Sequence, residues 1–378
     1  MTTYSTKQWF VKERSGDHLD IDKTFELVTK ELSVDDLKEG QVLAKAFLFS
    51  NDPAQRTWVN KDSTEGRLYR PASNPLSPFQ TSYISHNNHL IPFFSIKQPI
   101  NNGEPMEAYG IAEVVESKNA EYKKGDLVLG GVFWAEYFVL APESIMFKVP
   151  CDAVDTLTLG LTGLTAYFGL LTVGAATPQD STVVVSVAAG STGSIVCQIA
   201  KNILGIKNVV GITGSDAKCE ILKKDCGCDY ALNYRSPTFK QDFEEATKDD
   251  IDVYFDNVGG EISDLAIVRM KEFGRVVVSG AISIYDDMGY GGKVSAGISR
   301  EAWMQVICHK IRIEGFIVLQ FADQFLKGLT DLNTWFAEGK IKLIKQVWEA
   351  EIGDVPKGML KLLNGENTGK LITKVVHS

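Results

Sequence analysis

A turn of small residues, Ala188-Ala189-Gly190-Ser191-Thr192-Gly193, divides the apolar run 182–187 from a stretch in which Ile195, Val196, Ile199, Ala200, Ile203 and Leu204 recur at helical spacing. Strand, tight turn and helix in that order form an anion site. Small side chains let the backbone approach a pyrophosphate, and the helix start offers unpaired N–H groups and a positive dipole end. The chemistry implied is that of a bound dinucleotide, with Gly190, Ser191, Thr192 and Gly193 at the phosphates. Ala188 stands where the commonest fingerprint has its first glycine, so the flanking elements carry this reading more than the motif does.

After the next apolar run, 208–213, an NAD site would place an acidic residue for the adenosine ribose, whereas a 2′-phosphate needs cations and hydroxyls. The chain reads Gly214-Ser215-Asp216-Ala217-Lys218: Ser215 and Lys218 suit the phosphate, while Asp216 suits either NAD or a helix cap. The reading favours NADPH. Two more polar and glycine-rich segments, Asp256-Asn257-Val258-Gly259-Gly260 and Ser279-Gly280-Ala281-Ile282-Ser283, each follow an apolar run, where ligands of open α/β sheets bind.

The elements that must position these residues divide the chain. Up to about 145, short apolar runs such as 41–49, 110–115 and 126–130 are broken by Gly, Pro, Asn and Asp, the texture of a β-rich domain. Between 60 and 104 lies a long polar and aromatic stretch without clean period, expected to be a lid or a loop insertion. From about 150, apolar runs at 182–187, 208–213, 251–255, 275–279 and 313–318 alternate with helical or mixed segments, which predicts a doubly wound parallel sheet. A helix at 325–339 and a strand at 343–349 are expected in the last part, which returns to the first domain. The expected fold class is therefore α/β, with domains at 1–150, 151–325 and a returning segment at 326–378.

Composition bounds the function. With 39 Lys and Arg against 48 Asp and Glu, the net charge of −9 argues against a bulk electrostatic grip on nucleic acid or an anionic membrane. The N-terminus lacks the apolar core of a signal peptide, and no later stretch reads as a membrane span, so the expected location is cytoplasmic. The six cysteines are scattered, which fits reduced thiols, and the close pair Cys226-Gly227-Cys228 lacks a second pair or a nearby histidine for a metal.

Taken together, Asp52-Pro53 with Arg56, the segments 114–119, 124–126 and 161–170, the 188–194 turn, 214–218, Leu232-Asn233-Tyr234, 256–260, 280–283 and Gly365-Glu366-Asn367-Thr368-Gly369-Lys370 resemble, in order, the zinc-free medium-chain reductases of the prostaglandin reductase and plant double-bond reductase type. The resemblance implies a GroES-like catalytic domain from both chain ends around a Rossmann domain, NADP(H) in the cleft, and a homodimer. It implies that Lys218 and Tyr234 hold the 2′-phosphate, and that Asn257, Ser279, Gly280, Ala281, Ile282, Ser283, Phe316, Ile317, Val318 and Asn367 line the rest of the cofactor. Tyr285 falls on the tyrosine that such enzymes place near the substrate carbonyl. Three departures stand out: Ala54 where a tyrosine is common, Ala108 where a glycine is usual, and a longer 60–104 stretch.

Zinc dehydrogenases of the same superfamily need Cys and His around an open-sided ion. Here no cysteine precedes Cys151, the 106–110 segment lacks the His-Glu pair, and His86-Asn87-Asn88-His89 has no thiolate or carboxylate beside it, so no metal site is expected. Hydride transfer without a Lewis acid suits an acceptor that spreads its charge over an enolate. The predicted reaction is reduction of the carbon–carbon double bond of an α,β-unsaturated aldehyde or ketone, with Tyr285 as oxyanion donor and solvent as the source of the α-proton. An NADPH:quinone reductase and a non-catalytic NADPH-binding redox sensor are the alternative readings.

Overall fold

The computed structural model describes residues 2–63, 68–71, 94–97, 99–149, 152–285 and 298–377. His86, His89 and most of the 60–104 stretch lie outside those residues, as does Cys151.

The first part is antiparallel. β1 (Thr3–Val11) and β2 (Phe25–Ser33) form a ribbon with Thr3 opposite Ser33 and Val11 opposite Phe25. β3 (Val42–Ser50) runs through the middle of a larger sheet, while β4 (Leu68–Pro71) and β5 (Phe94–Lys97) pair with each other inside the 60–104 stretch. β6 (Glu107–Ser117), β7 (Leu127–Phe133) and β9 (Ile145–Lys148) extend the sheet in that order from β3, and β8 (Tyr137–Leu140) pairs with β3 as well. Val42, Ala44, Val114, Val128, Val132, Trp134 and Phe138 are buried together as its core.

The second part is parallel. β10 (Thr182–Val185), β11 (Asn208–Thr213), β12 (Tyr230–Asn233), β13 (Ile251–Asp256), β14 (Met270–Val278) and β15 (Arg312–Gly315) lie in the order β12-β11-β10-β13-β14-β15. The order reverses on either side of β10, the switch point at which open α/β sheets bind their ligands. Val183, Val184 and Val185 are fully buried because helices cover both faces, each stabilising the fold by roughly 1.5–3 kcal/mol. The fold is thus a Rossmann-type parallel sheet joined to a β-rich domain. β16 (Lys345–Glu351) and β17 (Lys370–Val376) bring the chain back into the antiparallel sheet, β17 pairing with β3.

One sequence expectation needs correction. The helical stretch Ala153–Val173 is, by length and composition, apolar enough to cross a membrane. Its most apolar window is 67% buried inside the protein, the signature of a core helix. Phe168 stacks on Phe321 at 4.9 Å, and a Cβ on Gly169 would stand 2.6 Å from the Phe255 ring, so small residues here let helix and sheet touch. Two π turns, Leu159–Gly163 and Gly169–Val173, interrupt the helix, and Gly160 leaves helical geometry altogether with ψ −121°.

Candidate functional site

The glycine turn sits where β10 ends. Val187 has φ 50°, a left-handed value that costs a β-branched residue roughly 1–2 kcal/mol. Its carbonyl accepts the Gly190 N–H at 2.9 Å, and a Cβ on Gly193 would collide with that carbonyl and with Ala188 Cα at 2.8 Å. The turn therefore closes only with hydrogen at position 193. The helix Ser191–Gln198 that follows carries no side-chain cap on its first N–H groups, so they remain donors for an anion. The Ser191 hydroxyl is committed elsewhere, donating to Thr162 Oγ1 at 2.8 Å, which leaves the backbone of Ser191, Thr192 and Gly193 as the part of the turn that could hold an anion.

Beyond β11 the cations gather. Ser215 caps the helix Asp216–Asp225 by accepting the Lys218 N–H at 3.4 Å, and Asp216 accepts the Asn233 amide at 2.8 Å. The competing acidic residue is thus engaged with the next strand. Lys218 Nζ donates to the Gly365 carbonyl at 2.7 Å, and its pKa is lowered by burial and by the neighbouring Arg235 guanidinium. Arg235 lies over the Tyr234 ring at 5.5 Å and donates to its hydroxyl at 3.3 Å, while that ring packs against Gly214. Ser215, Lys218, Tyr234 and Arg235 form a cationic corner with hydroxyls, and Lys218 and Arg235 make no salt bridge among the described residues. Arg235 was not read from the sequence.

The opposite end of the cleft is built around Asp256. This buried carboxylate accepts from the backbone N–H of Val258 (2.9 Å) and Gly259 (3.0 Å) and from Tyr254 (3.0 Å), Ser186 (3.2 Å) and Ser263 (2.5 Å). Such a ring of donors fixes the 256–260 loop. Asn257 is then pinned by its side-chain amide to the Ser186 carbonyl at 2.7 Å, and the N–H groups of Ser279 and Gly280 donate to the Asp256 carbonyl. Ile282 and Ser283 donate to the carbonyls of Asn257 and Val258 in turn, so the two glycine-rich segments are stitched into one wall.

Against this wall lies a cleft of about 430 Å³ lined by Val278, Ser279, Gly280, Ala281, Tyr285, Gly315, Phe316, Ile317 and Gln320. Tyr285 follows a short 3₁₀ turn, Ile282–Ile284, and its phenol oxygen accepts the Ala281 N–H at 3.2 Å. Burial raises the pKa of that phenol above its ordinary value, against the opposing pull of the Ala281 N–H. It stays protonated near neutrality and keeps its own proton to donate. Val318, next in sequence to the lining residue Ile317, is buried, and Asn367 is also buried, its amide turned back to the Gly369 carbonyl at 2.8 Å.

These residues fall into two groups joined by the sheet. The corner at β11 and β12 and the cleft at β14 and β15 stand at opposite sides of β10, five strand steps apart from β12 to β15, or about 24 Å. That span suits an extended dinucleotide, its pyrophosphate crossing the glycine turn midway. Among the described residues no three His, Cys, Asp or Glu side chains converge as metal ligands. Cys197, Cys226 and Cys228 are buried instead, with the Cys226 thiol pushed up to about 12 by burial.

Comparison with known proteins agrees with this fold. Residues 191–333 match the family model described as zinc-binding dehydrogenase, and residues 93–149 match the N-terminal domain of oxidoreductase. Prostaglandin reductase 1 of Bos taurus is 36% identical over 377 residues, covering 97% of this chain and 98% of its own. The putative NADP-dependent oxidoreductase YfmJ of Bacillus subtilis (strain 168) is 36% identical over 91% of both chains, and the 2-alkenal reductase (NADP(+)-dependent) of Nicotiana tabacum is 36% identical over 72% of this chain and 78% of its own. Among solved structures, CurA from Vibrio vulnificus superposes with a TM-score of 0.80 at 25% identity, covering 98% of this chain and 99% of that one. The same protein in complex with NADPH gives 0.81 at 24% identity, covering 98% and 100%.

Proposed function

This chain belongs to the medium-chain dehydrogenase/reductase family, in its prostaglandin reductase and 2-alkenal reductase branch, and from that membership we propose that it is an NADPH-dependent enone reductase. Its substrates are α,β-unsaturated aldehydes or ketones, reduced at the carbon–carbon double bond. The residues present fit the cofactor: an uncapped helix start, a turn that admits no Cβ at position 193, and two cations that make no salt bridge among the described residues. Ser191 to Gly193 would hold the pyrophosphate; Ser215, Lys218, Tyr234 and Arg235 the 2′-phosphate; and Asn257, Ser279 to Ser283, Phe316 to Val318 and Asn367 the remainder. When bound, NADPH supplies a hydride to the substrate's β-carbon.

The chain's own residues govern what happens at the carbonyl. As the β-carbon gains its electron pair, the double-bond electrons move toward the carbonyl oxygen, and a fixed donor there stabilises the enolate without reorganising. Tyr285 supplies that donor. Its oxygen is held by Ala281 and its raised pKa keeps the proton in place. The α-carbon then takes a proton from solvent. The single observation that carries this reading is the Tyr285 hydroxyl held by the Ala281 N–H in the cleft beside the glycine-rich wall.

The test follows NADPH absorbance with a panel of 2-alkenals, enones and quinones, with NADH as control. Turnover of 2-alkenals and enones with NADPH is expected, and turnover of quinones alone would overturn the reading. Tyr285→Phe is expected to lower kcat about 100–1000-fold, the scale of one lost oxyanion donor, with NADPH affinity unchanged within about twofold. Among the described residues β15 is the outermost strand on its side of the parallel sheet, and that edge further supports a homodimer.

A further inference from the structure

Tyr285 receives a hydrogen bond from the other domain. The side-chain amide of Asn60, a residue with no exposed surface, donates to the Tyr285 carbonyl at 3.0 Å, bridging 225 positions of sequence. The Asn60 side-chain oxygen accepts the Asp62 N–H at 2.9 Å. Both bonds demand the same orientation of the amide, since a carbonyl can only accept and a backbone N–H can only donate.

Asn60 is itself firmly held. It forms a parallel bridge with Ser15; Lys61 N–H donates to the Ser15 carbonyl at 2.8 Å, and Ser15 N–H to the Val59 carbonyl at 2.9 Å. The Arg56 guanidinium, buried beneath, donates to the Gly16 carbonyl of the same segment. On its partner's side, Tyr285 ends a 3₁₀ turn whose closing N–H bond to Ile282 is long, at 3.4 Å. The Rossmann-type domain thus fixes the phenol through Ala281, while the β-rich domain fixes the peptide of the same residue through Asn60.

We infer that Asn60 is a positioning residue for the reduction: by tying the Tyr285 peptide to the β-rich domain it places the Tyr285 hydroxyl over the cleft only when the two domains are docked. The inference rests on the reading of Tyr285 as the oxyanion donor. Losing this tie leaves the chemistry of the phenol intact and relaxes its aim, and small misplacements of a catalytic donor are expensive in rate.

Asn60→Asp is the sharpest test, because the carboxylate keeps the shape and the bond from Asp62 but opposes the Tyr285 carbonyl with an acceptor. Steady-state rates with a 2-alkenal, NADPH affinity by fluorescence quenching, and thermal melting are measured in the wild-type and Tyr285→Phe backgrounds. The expected result is a kcat about tenfold lower, NADPH affinity unchanged within about twofold, and no further loss when Asn60→Asp is added to Tyr285→Phe. Full kcat in Asn60→Asp overturns the inference, as does an equal fold-loss in both backgrounds, which would place Asn60's effect outside Tyr285. Either result leaves the Tyr285 reading standing. Full activity in Tyr285→Phe itself brings down that reading and the inference with it. If Asn60→Asp fails to fold, the smaller neutral Asn60→Ser is judged by the same criteria. Failure of both to fold would make Asn60 a structural strut and likewise overturn the positioning role.

Discussion

Lys218 and Arg235 stand close enough that the guanidinium helps lower the lysine's pKa, and their hydrogen bonds go to the Gly365 carbonyl and the Tyr234 hydroxyl. Two cations crowded together are held at a cost that a dianionic phosphate would relieve. Lys218→Ala and Arg235→Ala are each expected to raise the NADPH Michaelis constant about 10–100-fold, the scale of a lost charge-assisted bond, while that for NADH moves by less than about threefold. Initial-rate measurements with both cofactors decide it; equal effects on the two would remove the phosphate role. Lys218 was legible because its offset from the β11 run is local. Arg235 was not, because it reaches Lys218 only through the parallel pairing of Thr213 with Asn233, which brings Gly214–Ser215 beside Tyr234–Arg235. Tyr234 entered by resemblance alone, and Asn60 carried no local signal, since its partner lies in the other domain. Val187 gave none either: the left-handed φ belongs to a turn that ordinarily selects glycine.

At the scale of elements, the segment 365–370 acts as a strap between the glycine turn and the antiparallel sheet. Gly369 N–H donates to the Ala189 carbonyl at 2.7 Å, a bridge joins Gly190 to Gly369, and Lys218 holds Gly365. Lys370, next in the strap, is buried against Asp52 at 2.6 Å, and Asp52 also accepts from Ser50. Lys370→Met should lower stability by about 1–3 kcal/mol, less than for a fully buried pair because the Asp52 side chain is 23% exposed, and should weaken NADPH binding through the loosened turn. Chemical denaturation and a binding titration check this; unchanged values in both would show that the strap does not depend on the ion pair. The apolar runs at 208–213 and 251–255 announced β11 and β13 because buried parallel strands are continuous in hydrophobicity. β12 passed unseen: Tyr230–Asn233 is a four-residue edge strand of mixed polarity. The run at 313–318 was read too long, since its apolar character continues past Gly315 into a 3₁₀ segment beginning at Val318.

For the molecule as a whole, the net charge of −9 leaves the cationic corner as a local exception, of an extent that suits one phosphate rather than a polyanion. On the β15 side the parallel sheet carries no further strand among the described residues. β15 is its last strand, with Arg312, Glu314 and Gly315 exposed, and the helix Arg300–Cys308 that leads into it exposes Trp303 (51%), Met304 (52%) and Ile307 (67%). An unpaired strand beside an apolar helix face is the kind of edge that proteins either block or pair. Antiparallel pairing of two copies about a two-fold axis through Ile313 would set Arg312 of each copy opposite Glu314 of the other, so the edge is self-complementary in charge. Glu314→Arg places like charges across the axis twice and is expected to raise the dimer dissociation constant about tenfold or more, while the charge swap R312E/E314R restores it. Light scattering coupled to gel filtration over a dilution series makes the measurement. A monomeric wild type, or a Glu314→Arg variant that dimerises as tightly as wild type, would rule this interface out. A dimer that survives Glu314→Arg would have to be held by another surface.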